Sequence, residues 1–303
     1  MFAITNRFAR HFVARAAEEP AGIPSGGTSL ALDRVTVAYG EAKTLALTDV
    51  SLRIAPGELV CLLGPSGSGK STILNVVAGL VKPARGSVAA GGHQITGPGP
   101  ERAVVFQDAA LFPWLTLKQN VEFPLRVKGV SAATRTAKSE SLLRLVHLWK
   151  FRDSYPHELS GGMRQRGGIA RALANDPAVL LMDEPFAALD AQTREILHGE
   201  VERIWAATKK TILFVTHNVR EAVRLADRVV LLGTRPGRIL EERTIDLPRP
   251  RGANDEGVAR IAADIARRIA HEVEKVASEE ADDAHGADDG VQRPGDRAVG
   301  AAH

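Results

Sequence analysis

The stretch GPSGSGKST, Gly64 to Thr72, has the residue types and spacing of a loop that holds phosphates. In the pattern G-x-x-x-x-G-K-[ST], Gly64 and Gly69 let the backbone turn its N–H groups inward toward phosphate oxygens. The helix expected from about Lys70 to Leu80 sets the positive end of its dipole behind them. Pro65, Ser66, Gly67, Ser68 and Thr72 complete the phosphate-binding set, and Lys70 reaches the outer phosphates. The Ser71 hydroxyl is a ligand for Mg²⁺. A chance Gly/Ser-rich turn would not sit between an apolar strand, ELVCLL, and a helix, as this one does.

Phosphoryl transfer also needs a carboxylate to hold the metal and a group to position water. VLLMDEP supplies both: Asp183 ends an apolar strand, where it can hold Mg²⁺, and Glu184 can act as general base. Two consecutive acids at a strand end are by themselves often a solvated turn. A second helix start stands in ELSGGMRQR, where Ser160, Gly161 and Gly162 precede a helical stretch. One nucleotide does not need two cradles in one subunit. The second makes sense if each subunit caps the nucleotide held by its partner.

The elements that must position these residues read as α/β. SLALDRVTVAY and LTDVSLRIA alternate like half-buried strands, and ELVCLL, AVLLMD and TILFVT are continuous buried strands. Helical patterns lie between them, including Ala191 to Lys209 with Ile196, Leu197, Val201, Ile204 and Trp205 on one face. Such alternation predicts a mostly parallel sheet covered on both sides. A helix-rich stretch, about 110–168, is an inserted subdomain. RVVLLG and RILEERTIDL form a hairpin. NDEGVARIAADIARRIAHEVEKV forms an amphipathic helix, N-capped by Asn254, with the stripe Val258, Ile261, Ile265, Ile269, Val273 and Val276. Residues 1–28 read as a flexible tail and 29–245 as the main domain. Residues 246–277 are a linker plus that helix, and 278–303 a disordered acidic tail. In the first of these, Ile4, Phe8 and Phe12 with Arg7, Arg10 and Arg15 also fit a short membrane-surface helix or a targeting segment.

Composition excludes several classes. The 303 residues carry Lys+Arg 39 against Asp+Glu 36, a net charge of +3, which argues against a dedicated nucleic-acid binder. The single cysteine, Cys61, rules out an internal disulfide and a cysteine-based zinc site. No apolar run is long enough to span a bilayer.

Residues 159–163, Leu-Ser-Gly-Gly-Met, resemble the signature of the ATP-binding-cassette (ABC) ATPases, over a body of about residues 29–245. The resemblance implies a P-loop NTPase core with an N-terminal antiparallel β subdomain and an inserted helical subdomain. It also implies a head-to-tail dimer with two ATP molecules sandwiched between phosphate loop and signature. The remaining elements follow in order. Tyr39 is similar to the aromatic that stacks on adenine, and Gln107 to the glutamine that senses Mg²⁺ and water. Asp190 is similar to the interface aspartate, and His217 to the histidine that contacts the γ-phosphate. Taken singly, each also reads as an ordinary strand end, helix cap or structural residue. Gly167 and Gly168 depart from good helix composition inside the signature helix, at roughly 1 kcal/mol each relative to alanine, which implies close packing.

The interval from Lys70 to Asp183 has no sustained heptads, unlike cassette ATPases of chromosome maintenance and DNA repair. Phe112, Pro113, Trp114 and Leu115 resemble the groove that receives a helix from a membrane subunit, although such residues also fill cores. FPWLT, YPHELSGGMRQR, MDEPFAALDAQTR and DLPRPR together resemble the importer branch for nitrate, sulfonate and taurine. The implied partners are a second copy, integral-membrane permease subunits and, indirectly, a solute-binding protein. The implied place is the cytoplasmic face of the inner membrane. A soluble cassette ATPase acting on nucleic acid or protein, and a regulatory subunit that does not turn over, are the alternatives.

Overall fold

The alternating segment that opens the body forms β1 (Leu30–Tyr39), paired antiparallel with β2 (Thr44–Ile54). In the computed structural model the described residues are 26–40, 43–252 and 255–288, with side chains described through Glu274. The N-terminal segment read as a tail or surface helix therefore lies largely outside them. β3 (Leu59–Leu63) runs into the phosphate loop and α1 (Lys70–Ala78). That helix stops short of Leu80 because Gly79 turns left-handed, at φ 77°. β4 (Arg85–Ala90) and β5 (His93–Gln94) complete a four-stranded antiparallel sheet, ordered β2-β1-β4-β5.

β6 (Arg102–Val105) leads into the helical insert, α2 (Leu117–Val127), α3 (Ala132–Leu145) and α4 (Gly161–Ala174). Then come β7 (Val179–Asp183), α5 (Ala191–Thr208), β8 (Thr211–Thr216) and α6 (Val219–Leu225). β9 (Arg228–Gly233) and β10 (Arg238–Thr244) make the expected hairpin, and α7 (Glu256–Asp288) follows. The second sheet has the order β10-β9-β3-β8-β7-β6 and is parallel except at β10. No helix among the described residues is long and apolar enough to cross a membrane.

Because side chains alternate along a strand, each central strand divides its residues between two cores. Leu59, Cys61, Leu63, Leu180, Met182, Ile212 and Phe214 face the helical layer. Val60, Leu62, Val179, Leu181, Leu213 and Val215 face α1 and the antiparallel sheet. Each fully buried Leu, Ile or Phe contributes about 1.5–3 kcal/mol relative to exposure. Cys61 lies wholly inside, and burial pushes its thiol well above the ordinary value.

Two helix faces differ from expectation. In α5 the buried residues are Leu197, His198, Val201 and Ile204, while Ile196 is 55% exposed. Ile196 lies about 100° around the helix from Leu197, which carries it off the buried stripe. In α7 the N-cap is Asp255, whose Oδ1 accepts from Gly257 N–H at 2.7 Å and Val258 N–H at 3.2 Å. Asn254, expected there, lies outside the described residues. Val258, Ala262 and Ile265 are buried, but Val273 is 46% exposed. The helix also continues through Ser278 to Asp288, in a stretch expected to be disordered.

The two glycines of α4 have distinct surroundings. A Cβ at Gly167 would sit 2.6 Å from Leu117 Cδ1, whereas one at Gly168 would meet Ala109 at 3.3–3.5 Å. Gly167 thus lets α4 approach α2. Gly167→Ala is expected to lower stability by about 1 kcal/mol, overpacking outweighing the helix-propensity gain. Gly168→Ala is expected to be near neutral. Urea unfolding of both variants checks the contrast.

Candidate functional site

The phosphate loop is built by close approach. A Cβ on Gly64 would lie 2.6 Å from the Leu232 carbonyl, and one on Gly69 2.3 Å from Leu47 Cδ2. Gly67 and Gly69 take φ of 80° and 82°, a left-handed backbone open mainly to glycine. Ser68 is buried beneath the loop, while Ser66 and Ser71 are exposed at its mouth. No side chain caps the start of α1, so its first N–H groups face outward and are free to receive an anion. Lys70 Nζ donates to the Gly64 and Pro65 carbonyls, at 2.8 Å each. Burial lowers the Lys70 pKa, against the opposing pull of Glu184 and Asp183.

The carboxyl ends of β7 and β8 bring the two acids and His217 beside this loop. Asp183 continues the face of β7 that meets α1, and its Oδ1 accepts from Ser71 Oγ at 3.1 Å. Burial raises the Asp183 pKa and Glu184 adds to this, while Ser71 and Lys70 lower it. Glu184 has a φ of 44°, uncommon for a non-glycine residue, and its N–H donates to the Val215 carbonyl at 3.0 Å. Such a conformation costs of order 1–2 kcal/mol and persists where surrounding structure enforces it. The turn leaves Glu184 Oε2 3.0 Å from His217 Nδ1, just past β8. Ser71, Asp183, Glu184 and His217 therefore join into one site with Lys70.

The expected residues beyond the phosphate loop make no hydrogen bond to this group among the described residues. Tyr39 closes β1, half exposed, on a hairpin whose Leu47 leans on Gly69. Gln107 follows β6, exposed, with no hydrogen bond among the described residues. Ser160 caps α4, accepting from Met163 N–H at 3.2 Å. A Cβ at Gly162 would meet Thr193 Cγ2 at 2.4 Å, so the signature packs against the start of α5. There Asp190 is the N-cap: Oδ1 accepts from Thr193 N–H at 2.9 Å and Oδ2 from Thr193 Oγ1 at 2.7 Å. Those bonds hold its carboxyl below the usual range.

Three supporting residues had no evident signal in the sequence. Arg194 Nη2 donates to the Leu189 carbonyl at 2.9 Å and Nε to that of Phe186 at 3.3 Å, shaping the loop from Glu184 to Asp190. Gln165 donates to the Phe106 carbonyl at 3.0 Å. Arg171 donates to the carbonyls of Ala110 at 2.8 Å and Ala109 at 3.0 Å. These last two tie α4 to the segment around Gln107.

A glycine loop at a helix start, with two acids at the end of a parallel strand two places away in the sheet, defines a nucleotide-phosphate site of the P-loop class. The ABC transporter family model matches residues 47–187, from β2 through that loop to Glu184 and beyond. The nitrate import ATP-binding protein NrtD of Synechocystis sp. is 49% identical over 217 residues, 72% of this chain and 81% of that protein. The taurine import ATP-binding protein TauB of Pseudomonas entomophila is 46% identical over 230 residues, 76% of this chain and 89% of that protein. A solved dimeric post-hydrolysis state of the ATP-binding cassette MJ0796, bound to ADP and Pi, shares 35% identity at a TM-score of 0.63. It covers 72% of this chain and 100% of that one. The chain belongs to the ABC transporter family, as an ATP-binding cassette with ATPase activity.

The raised Asp183 pKa has a consequence for stability. A carboxyl whose folded pKa lies above its unfolded value weakens the fold when ionised, and that cost vanishes below the unfolded pKa. Asp183→Asn is therefore expected to raise the melting temperature of the protein without nucleotide at pH 7. The gain should shrink as pH falls through the folded value, as thermal unfolding across pH would record.

Proposed function

We propose that the chain is the ATP-hydrolysing, energy-coupling subunit of an importer for nitrate, a sulfonate, taurine or a similar small solute. The observation that carries the catalytic part is the continuous set Lys70, Ser71, Asp183, Glu184 and His217 at one edge of the sheet. The solute class rests on the likeness to the nitrate and taurine import proteins. The subunit works at the cytoplasmic face of the inner membrane, bound to permease subunits that take solute from a separate binding protein.

In this reading the N–H groups of Gly64 to Thr72, through Pro65, Ser66, Gly67 and Ser68, receive the ATP phosphates, and Tyr39 stacks on adenine. Lys70 turns from its loop carbonyls to the outer phosphates. The Ser71 hydroxyl and Asp183 carboxylate, adjacent at 3.1 Å, are hard oxygen donors that suit Mg²⁺, with Gln107 as a further ligand. When bound, the ion would supply positive charge that offsets the negative charge of the phosphate oxygens. Glu184 takes a proton from the attacking water. His217, its Nδ1 turned to Glu184, presents Nε2 to the γ-phosphate.

Gly161 and Gly162 pack against Leu189 and Thr193 around the start of α5, Ser160 caps α4, and none of the three bonds to its own chain's phosphate loop among the described residues, which suits them to cap the nucleotide of a second copy. Asp190 lies at the same interface. The dimeric MJ0796 neighbour supports this pairing. ATP favours the closed dimer because only that form supplies both cradles, and hydrolysis removes the bridging γ-phosphate. Trp114 is 70% exposed, with Phe112 5.5 Å away, and this surface receives the permease.

Glu184→Gln is expected to keep ATP binding, cut turnover at least about 10²-fold and accumulate a dimer with ATP. A variant that stays monomeric in light scattering at saturating ATP would refute the sandwich. Trp114→Ala should leave basal ATPase within about twofold while weakening co-purification with the permease, since exposed aromatics concentrate binding energy. Equal loss of both would mark Trp114 as a packing residue instead.

A further inference from the structure

Behind Glu184 and His217 lies a group of buried polar residues that the reaction as described does not use. His198, on the inner face of α5, is 6% exposed, Glu221 on α6 is 5% exposed and Arg224 is 9% exposed. His198 Nε2 stands 2.6 Å from Glu221 Oε1, and Arg224 Nη1 stands 3.3 Å from His198 Nδ1. Arg224 also pairs with Glu195, one turn before His198. A guanidinium can only donate, so Nδ1 accepts and the ring proton sits on Nε2, where it is donated to the Glu221 carboxylate. The chain of bonds therefore has a direction: Arg224 to His198 to Glu221.

Each end of this chain is tied to the site. Glu221 N–H donates to Asn218 Oδ1 at 3.2 Å, so Glu221 belongs to the cap that starts α6 directly after His217. Its side chain shares the wall of a small cavity with Glu184, Thr216 and His217. On the other side, the His198 ring packs edge-on against Phe186 at 5.5 Å, two residues beyond Glu184. α5 itself begins at Asp190. α6 has only seven residues; Ala222, Val223 and Leu225 anchor it in the core, and the charge-assisted hydrogen bond at Glu221 adds a directional tie that apolar packing does not supply in its first turn.

We propose that His198 and Glu221 are positioning residues for ATP hydrolysis: their buried hydrogen bond locks the start of α6 to α5, fixing His217 against Glu184. This rests on the reading of Glu184 and His217 given above. Neither residue touches the nucleotide, so the pair acts on turnover and not on ATP binding.

The full chain is assayed for basal ATPase and, separately, for ATP affinity, alongside the wild type and Glu184→Gln. His198→Leu keeps much of the volume but cannot donate, and misplacing reacting groups costs up to about 10²-fold. We expect kcat to fall about tenfold or more with ATP affinity within about twofold. His198→Gln, whose amide can still donate to Glu221, is expected to recover most of kcat. If His198→Leu turns over at the wild-type rate, or if His198→Gln is as slow as His198→Leu, the proposal is overturned. Should His198→Leu fail to fold, Glu221→Met, which keeps the length of the side chain but cannot accept, carries the test: lower kcat at unchanged ATP affinity supports it, and wild-type kcat overturns it. An active Glu184→Gln would instead strike the assignment of the catalytic residues and is read out independently.

Discussion

The parallel register of three strands fixes the site. Leu63 stands beside Thr216, and Asp183 beside Val215, so the phosphate loop, the two acids and His217 leave the sheet at one edge. Because strand side chains alternate, a slip of one residue in β7 would turn Asp183 away from Ser71 and into the helical core. Burial on both faces makes such a slip prohibitive, since every apolar residue of the strand would exchange cores with it. The hydrophobic pattern of ELVCLL, AVLLMD and TILFVT thus places charged groups that it does not contain.

The helical insert is held to this edge by polar contacts made with backbone. Asn120, fully buried, donates to the Phe112, Leu115 and Thr116 carbonyls and accepts from Phe112 N–H, so the exposed FPWL stretch keeps one shape. Gln165 and Arg171 hold the strand end around Gln107 to α4, the helix that the signature opens. A displacement of either end reaches the other through few, stiff bonds. At the opposite side, Arg249 and Arg251 satisfy the last carbonyls of α6, with Arg251 donating to Val223 and Ala226. The DLPRPR segment therefore serves as a C-terminal cap for a helix too short to be stable alone.

Much of this was legible in the chain itself. The phosphate loop, the strand before it and the acids at Asp183 and Glu184 depend on local spacing, which a sequence displays directly. Ser71 and Asp183 were each legible as candidate metal ligands, but their hydrogen bond appears only in the fold. What stayed hidden depends on contacts between distant segments. His198 reads as one polar residue on a helix, and nothing local signals Glu221 or Arg224 as its partners. Ile196 and Leu197 are equally apolar, so only tertiary packing decides which is buried. β4 is rich in small residues and β5 is two residues long; pairing of β4 with β1, and of β5 with β4, supplies the order that their own sequence lacks.

The solitary thiol of Cys61 is sealed in the middle strand of the sheet with its proton held tightly. Thiolate is the nucleophile, so maleimides and disulfide reagents meet no attacking group there while the fold is intact. The natural chain is accordingly already a silent background for probe chemistry. A cysteine engineered at the signature or beside the phosphate loop could be labelled, or bridged to its counterpart, without first removing the native one.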